Sequence, residues 1–304
     1  MKASVVIPTH NRRDWLRVTL HSVLQQQNVD LEAIIVDDGS TDDTLEMLVA
    51  LSDPRVRIIH HDSPRGVSAS RNDGAAEARG EWVAFVDDDD LWAPEKVARQ
   101  VEAGIATGRN WIYTGSVNID EQMRIVGGRP PASPEDVTRL IARHNVIPGG
   151  GSNVIVRRDE FERVGPFDLQ LTNTEDWELW IRLAERGPPA WVPMPMMAYR
   201  VHTENASLDV AAILEGVSLI ERQHGTTADH GVIHRWIGEL CLRTGHRNQA
   251  VKHLAIAALR GQAVGVAGDV AAIVRRRLGA TRSASRHPEW IEQARDWLED
   301  LSHM

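Results

Sequence analysis

Three short apolar runs, residues 3–7, 31–36 and 82–86, are nearly continuous in hydrophobic residues, broken only by Ser4 and Glu32, instead of alternating with polar ones. A strand reads this way when both of its faces are covered, and that is the habit of parallel sheets. Helical spacing separates the runs. Trp15, Leu16, Val18, Leu20, Val23 and Leu24 make one apolar face over 14–24, Leu45, Leu48, Val49 and Leu51 make a second, and a third helix is expected over 67–78, stopped by Gly80. With a further strand at 56–59, the β-α-β-α-β-α-β alternation requires an α/β fold: a mostly parallel central sheet, Rossmann-like, flanked by helices. The chain continues with a helix over 94–104, where Pro94 suits the first turn, and a strand over 111–116.

Residues 117–151 give mixed signals, with Gly127-Gly128, Pro130-Pro131 and Pro148-Gly149-Gly150-Gly151 around one helix over 134–143. A short strand follows at 154–156, a helix at 175–186, and extended pieces at Trp191 and 197–201. Beyond Leu208 strand signals cease. Helices are expected near 209–224, 231–244, 247–260, 263–278 and 288–302, so the chain divides into an α/β domain over 1–208 and an all-α C-terminal region over 209–304. Trp236, Leu240 and Leu242 with Ala250, Leu254, Ala257 and Ala258 resemble one helix hairpin of the tetratricopeptide type.

The formal charge of −9 over 304 residues argues against nucleic acid as the principal partner, since phosphate binding needs a basic surface. Cys241 is the only cysteine, so neither an internal disulfide nor a cysteine zinc cage can form, which fits a reducing cytoplasm. The amino terminus enters a strand without the charged start and cleavage site of a signal peptide, and no apolar run approaches the ~20 residues that span a bilayer. Arg275-Arg276-Arg277 is locally basic, either a solvated helix end or a contact with an acidic lipid surface.

Chemistry points to three carboxylate clusters. Asp37-Asp38 ends the second strand, Asp87-Asp88-Asp89-Asp90 ends the fourth, and Glu175-Asp176 opens a later helix. In a parallel sheet the first two share the carboxyl edge, where ligands of open sheets bind. Four adjacent negative charges repel, and a hard divalent ion, Mg²⁺ or Mn²⁺, relieves them; the alternative is a solvated acidic turn. Glu175-Asp176 reads either as acids stabilising a helix N-terminus or as a source of a general base, for which one carboxylate must reach an acceptor hydroxyl. No glycine-rich dinucleotide fingerprint, phosphate-cradling lysine loop or Gly-x-Ser-x-Gly elbow is present.

Six segments together resemble the family 2 inverting glycosyltransferases, which have the GT-A fold: Val5-Val6-Ile7-Pro8-Thr9-His10-Asn11, Val36-Asp37-Asp38-Gly39-Ser40-Thr41-Asp42, Gly66-Val67-Ser68-Ala69-Ser70-Arg71-Asn72, Phe85-Val86 with the acid run 87–90, Thr174-Glu175-Asp176-Trp177-Glu178-Leu179-Trp180, and Tyr199-Arg200-Val201-His202. The resemblance covers about residues 1–206. It implies a metal-dependent transfer from a nucleoside-diphosphate sugar, a UDP-sugar above all, to a hydroxyl acceptor on a glycan, lipid or small molecule. By it, Pro8, Thr9 and Asn11 line the nucleotide pocket, Asp38 bonds the base, and Arg71 faces the base or diphosphate. Asp87, Asp88 and Asp89 match the D-x-D motif, with Asp88 on the ribose or sugar, Asp89 on the metal and Asp87 in support, while Asp90 starts the turn towards Pro94.

The resemblance further implies that Asp176 is the general base and that Glu175 positions donor or acceptor. His202 matches a metal ligand of some relatives, with a structural or acceptor-contacting histidine as the alternative. Gly150 and Gly151 would let a sugar approach the backbone. The rival readings are a sugar-nucleotide-forming nucleotidyltransferase and a non-catalytic nucleotide-binding module with a partner-docking tail. The expected setting is cytoplasmic, with the helical tail open to peripheral membrane association or homodimer formation.

Overall fold

The computed structural model describes residues 2–203, 209–268 and 288–302. Its strands are β1 (Lys2–Thr9), β2 (Asp30–Asp37), β3 (Val56–His60), β4 (Trp82–Phe85), β5 (Leu91–Trp92), β6 (Trp111–Ile119), β7 (Ile125–Arg129), β8 (Ile155–Arg157) and β9 (Ala190–Arg200). Its helices are α1 (Arg13–Leu24), α2 (Thr44–Val49), α3 (Val67–Ala76), α4 (Lys96–Thr107), α5 (Pro134–Leu140), α6 (Arg158–Val164), α7 (Glu175–Arg186), α8 (Val210–His224), α9 (His230–Arg243), α10 (Arg247–Ala257) and α11 (Pro288–Ser302).

The strands form one nine-stranded sheet in the order β3-β2-β1-β4-β8-β6-β9-β5, with β7 on the side of β6. Strands β1 to β4 pair in parallel, whereas β8 lies antiparallel to β4 and to β6, and β5 antiparallel to β9. The sheet is therefore mixed: β1 to β4 are parallel, β8 runs against them, and β6 and β9 beyond it pair in parallel with each other.

The continuous apolar runs have a direct cause. Successive strand residues point to opposite faces, and here each face carries its own core. Ala3, Val5, Ile7, Ala33, Ile35 and Ala84 pack with Leu16, Leu20 and Val23 of α1 and with Val97 and Val101 of α4. Val6, Ile34, Val36, Val83 and Phe85 pack on the other face with Leu179, Trp180 and Leu183 of α7. Phe85 is fully buried and edge-on to Phe167 at 4.9 Å between ring centroids, so Phe85→Ala would cost about 3–5 kcal/mol.

Strands β5 and β7 and helix α6 stand where the sequence predicts no regular element, and other elements differ from expectation in detail. Pro193 and Pro195 suggest separate extended pieces, yet β9 runs unbroken and takes up its prolines where its register against β6 shifts. Trp236, expected on the inner face of a hairpin, is 46% exposed; Ile237 and Cys241 of α9 face Ala250 of α10 in its stead. The helix over 247–260 bends at Arg260 and Gly261. Beyond residue 268 the helix expected to 278, and Arg275-Arg276-Arg277 with it, lie outside the described residues.

The C-terminal helices share the cores of the sheet. Ile213, Val217 and Ile220 of α8 and Ile233 and Ile237 of α9 join the α7 side. Helix α11 sets Trp290, Ala294 and Leu298 against Leu91, Val117, Ile119 and Ala198, and its Trp297 Nε1 donates to the Pro195 carbonyl at 3.0 Å. Among the described residues no helix is long and apolar enough to cross a membrane.

Candidate active site

The order β2-β1-β4 brings three strand ends together at one sheet edge. At the end of β1, the Thr9 carbonyl accepts from Asp38 N at 2.8 Å, and its hydroxyl donates to Asp88 Oδ2 at 2.7 Å. Thr9 thus joins the acid clusters that follow β2 and β4. Pro8 sits inside β1, paired with Val36.

Asp38 is buried, and its carboxylate accepts from Arg65 N and Gly66 N, at 2.9 Å and 2.8 Å, with His61 Nδ1 at 2.7 Å. Burial works against its charge, but these hydrogen bonds outweigh it and hold the carboxyl below its ordinary value. The residue expected to read a base therefore also anchors the loop after β3. That loop runs so close to the β2 turn that a Cβ on Gly39, at φ +71°, would lie 2.8 Å from the Ser63 and Pro64 backbone. Asn11, at φ 54°, spends its side-chain oxygen on Thr41 N and Asp42 N at 2.7 Å and 3.2 Å, so it fixes the β1–α1 loop against the β2–α2 loop.

In the acid run each carboxylate meets a different donor. Arg71 Nη2 donates to Asp87 Oδ1 at 2.5 Å, the Thr9 hydroxyl to Asp88, and Arg12 Nη1 to Asp89 Oδ2 at 2.8 Å. His202 Nε2 lies 3.0 Å from the same Asp89 oxygen. Asp90, expected only to start a turn, is fully buried and accepts from Arg200 N at 3.0 Å. Arg200 Nε donates to the Asp89 carbonyl at 2.8 Å, so the end of β9 grips the run through backbone and guanidinium together. Burial, then the neighbouring Asp89, push Asp88 up to about 8, while Thr9 and Arg12 pull the other way. Asp90 is raised well above the usual carboxylate range for the same two leading reasons.

Arg71, on α3, joins this run to the third cluster. Its Nη1 donates to Glu175 Oε1 at 2.5 Å while Nη2 holds Asp87. Burial opposes its charge, but Asp87 and Glu175 outweigh burial and keep its pKa above the ordinary value. Asp176, beside Glu175 in the first turn of α7, is 9% exposed and accepts from Trp177 N at 2.6 Å. Burial first, and the Glu175 charge second, push it up to about 7 against the pull of Arg71. Glu175 Oε2 is buried with no hydrogen-bond partner among the described residues, which leaves a costly unmet acceptor at the cleft. The short turn Gly150–Ser152 closes over the pair: a Cβ on Gly150 would stand 3.3 Å from Asp176 Oδ2, and one on Gly151 2.9 Å from Arg71 Nη2.

Asp89 Oδ2 and His202 Nε2 converge on one point that already holds a positive group, the Arg12 guanidinium. Such a carboxylate and imidazole pair suits a divalent cation that takes its remaining ligands from water and substrate phosphates. Among the described residues, no group of three or more His, Cys, Asp and Glu side chains is arranged to hold a metal unaided.

Thr9, Asp38, Arg71, Asp87 to Asp90, Glu175, Asp176 and His202 thus make side-chain hydrogen bonds in or beside this cleft, Asn11 ties the two loops at its edge, and Pro8 lies within β1. Sequence reasoning missed Arg12, Trp15, His61 and Arg200. Arg200 lies inside the Tyr199–His202 motif and Arg12 directly follows Asn11, but nothing local marks them as partners of Asp89.

The family model for Glycosyl transferase family 2 matches residues 4–165, just over half of the chain. A protein named for teichuronic acid biosynthesis, TuaG of Bacillus subtilis, is 31% identical over 195 residues, covering 62% of this chain and 74% of its own length. The Escherichia coli UDP-Glc:α-D-GlcNAc-diphosphoundecaprenol β-1,3-glucosyltransferase WfaP is 26% identical over 253 residues, covering 82% and 94%. Among solved structures, S. aureus TarS 1-349 in complex with UDP superposes with a TM-score of 0.59 at 20% identity, over 73% of this chain and 65% of that one. The same fragment with UDP-GlcNAc gives 0.57 at 18% identity, over 86% and 81%. The chain belongs to glycosyl transferase family 2, and it is a glycosyltransferase.

Proposed function

We propose that this enzyme transfers a sugar from a UDP-sugar to an acceptor hydroxyl with inversion, using Asp176 as general base and Mn²⁺ or Mg²⁺ on the donor diphosphate. The observation that carries the reading is Asp176 itself, a buried carboxylate pushed up to about 7 and linked through Glu175 and Arg71 to the acid run. A base with that pKa is ionised often enough at neutral pH and still binds a proton well.

In the proposed reaction, Thr9 and Asp88 bind the nucleotide sugar at its ribose, and Arg71 fixes the spacing between donor and base. The acceptor hydroxyl gives its proton to Asp176 as its oxygen attacks the anomeric carbon. The new bond forms on the face opposite the departing diphosphate, the bond to the diphosphate oxygen breaks with its electron pair, and the anomeric centre inverts once. Glu175, with Oε2 free to accept, orients a sugar hydroxyl. Asp89 and His202 would hold the cation, which when bound supplies Lewis-acid stabilisation of the leaving diphosphate. A hydrolase would instead need a carboxyl pair flanking the bond with one member protonated.

UDP as the donor nucleotide is supported by the UDP and UDP-GlcNAc complexes of TarS and by the UDP-Glc in the name of WfaP. The names of WfaP and TuaG support a glycan or lipid-linked acceptor in polysaccharide synthesis. Such an acceptor would be met at the cytoplasmic face of a membrane, with the protein bound peripherally.

The test is incubation with Mn²⁺ and a panel of nucleotide sugars and candidate acceptors. Release of nucleoside diphosphate with an inverted anomeric signal by NMR is expected. Pyrophosphate released from a nucleoside triphosphate and a sugar phosphate would mark a nucleotidyltransferase instead. Nucleotide binding without turnover of any donor would mark a binding module.

A further inference from the structure

Arg12 occupies the position that the proposed function assigns to the metal. Its Nη1 is 2.8 Å from Asp89 Oδ2 and 3.4 Å from His202 Nε2, and those two atoms are 3.0 Å apart. The guanidinium lies 4.9 Å over the Trp15 ring, and Trp15 in turn packs at 4.1 Å on the His202 ring. One aromatic wall thus holds both the cation and the imidazole. An arginine cannot shed its charge at any working pH. A divalent cation and this guanidinium need the same Asp89 oxygen and repel each other, so they cannot both be seated there.

The backbone beneath Arg12 is held in place, because Asn11 bonds Ser40, Thr41 and Asp42. The Arg12 side chain is paired with Asp89 but 21% exposed, and it borders a cleft of about 440 Å³ between the β1–α1 loop and Asp42 and Asp43. Those two acids line the cleft, so a guanidinium turned that way stays near negative charge. The better destination is a diphosphate, whose oxygens match the planar fork of an arginine.

We propose that Arg12 is a resident counter-cation: it blocks the Asp89–His202 site in the donor-free enzyme and leaves it for the donor's diphosphate, so that the metal enters with the nucleotide and not before it. The proposal rests on the metal reading of Asp89 and His202. Chelation by the nucleotide alone would also couple metal and donor binding reciprocally. The distinguishing property is therefore the affinity for metal without nucleotide once the guanidinium is removed.

Mn²⁺ binding to the full chain, followed by electron paramagnetic resonance with and without UDP, provides the test. Arg12→Gln is expected to bind Mn²⁺ alone at least tenfold more tightly than the unaltered enzyme, and the gain on adding UDP should shrink by a similar factor. Arg12→Lys retains a cation and should bind Mn²⁺ alone within threefold of the unaltered enzyme. Arg12→Ala, measured in parallel, gives the same answer should the glutamine variant not fold. If the neutral variants bind Mn²⁺ alone no more tightly, while UDP still raises Mn²⁺ affinity, Arg12 does not guard the site and the metal reading stands. If UDP binds equally well with Mn²⁺ or with chelator and no Mn²⁺ is taken up, both the proposal and the metal reading fall.

Discussion

The acid run after β4 and the acid pair that opens α7 are alike in charge and in burial, and they differ in what stands against them. Every member of the run meets a donor from elsewhere in the chain: Arg71 for Asp87, Thr9 for Asp88, Arg12 for Asp89, Arg200 N for Asp90. In the pair, Arg71 reaches Glu175 only, and Asp176 is left with the Trp177 backbone. A guanidinium, the partner of Asp87 and of Asp89, favours the charged form of a carboxylate, whereas burial beside a like charge favours the protonated form, as at Asp88, Asp90 and Asp176. The raised value of Asp88 is led by burial with Asp89 second, and a divalent cation on Asp89 would cancel the second contribution. The raised value of Asp176 is also led by burial, but its second cause is Glu175, which a cation at Asp89 does not neutralise directly.

The sharpest way to break this division is Asp176→Asn. It should lower kcat by about 10³-fold, within the range for loss of a positioned base, with the Kd for UDP unchanged within threefold by calorimetry. Equal loss of transfer and UDP binding would show that the two clusters do not divide the labour. Next in size is Asp89→Ala, expected to weaken Mn²⁺-dependent UDP binding on the order of 100-fold. Binding measured in chelator should barely move, and a variant that keeps its full dependence on Mn²⁺ would remove Asp89 from the cation site.

Smaller, and specific to the pair, is the pH dependence. Since Asp176 must be ionised to act, kcat/KM should fall about tenfold per pH unit below its value of about 7. The stability effect has the opposite sense. A carboxyl raised from 3.8 to about 7 binds its proton more tightly in the folded state, so its contribution favours folding below pH 3.8 and fades as pH rises through 7. Asp176→Asn should accordingly raise the Tm at pH 8 and leave it almost unchanged at pH 4. A variant less stable than the parent at pH 8 would show that Asp176 is held as an anion after all.

How legible this was in the sequence depends on how far apart the partners lie. Strand ends that carry the first two acid clusters follow from continuous apolar runs and a parallel sheet, because neighbouring parallel strands expose the same edge. Arg12 and Asp89 are 77 residues apart, Arg71 and Glu175 104, and His202 and Asp89 113. The first follows from β1 and β4 lying side by side, but the other two bring in α7 and the end of β9, beyond the parallel strands β1 to β4, where local signals are weakest. Strand β5 has two residues, β7 reads Ile125-Val126-Gly127-Gly128-Arg129, and β9 carries two prolines. Helix α6 is seven residues long, too short to establish a period. The resemblance to family 2 named most of the cleft residues, but the donors that set apart the roles of the acids became visible only in three dimensions.

The finest test of the comparison is at Gly150, which touches one cluster and not the other. Its φ of +55° belongs to the left-handed region, where a side chain costs about 1–2 kcal/mol. A Cβ there would lie 3.3 Å from Asp176 Oδ2, on the oxygen not engaged by the Trp177 backbone. Gly150→Ala should therefore crowd the acceptor's approach to the base without reaching the acid run. An acceptor KM raised roughly threefold to tenfold is expected, with a Tm lowered by a few degrees and an unaltered Kd for UDP. If instead UDP binding weakens as much as acceptor binding, the effect has travelled through Arg71, which a Cβ on the adjoining Gly151 would meet at 2.9 Å. The guanidinium that spans Asp87 and Glu175 would then couple the two clusters as well as space them.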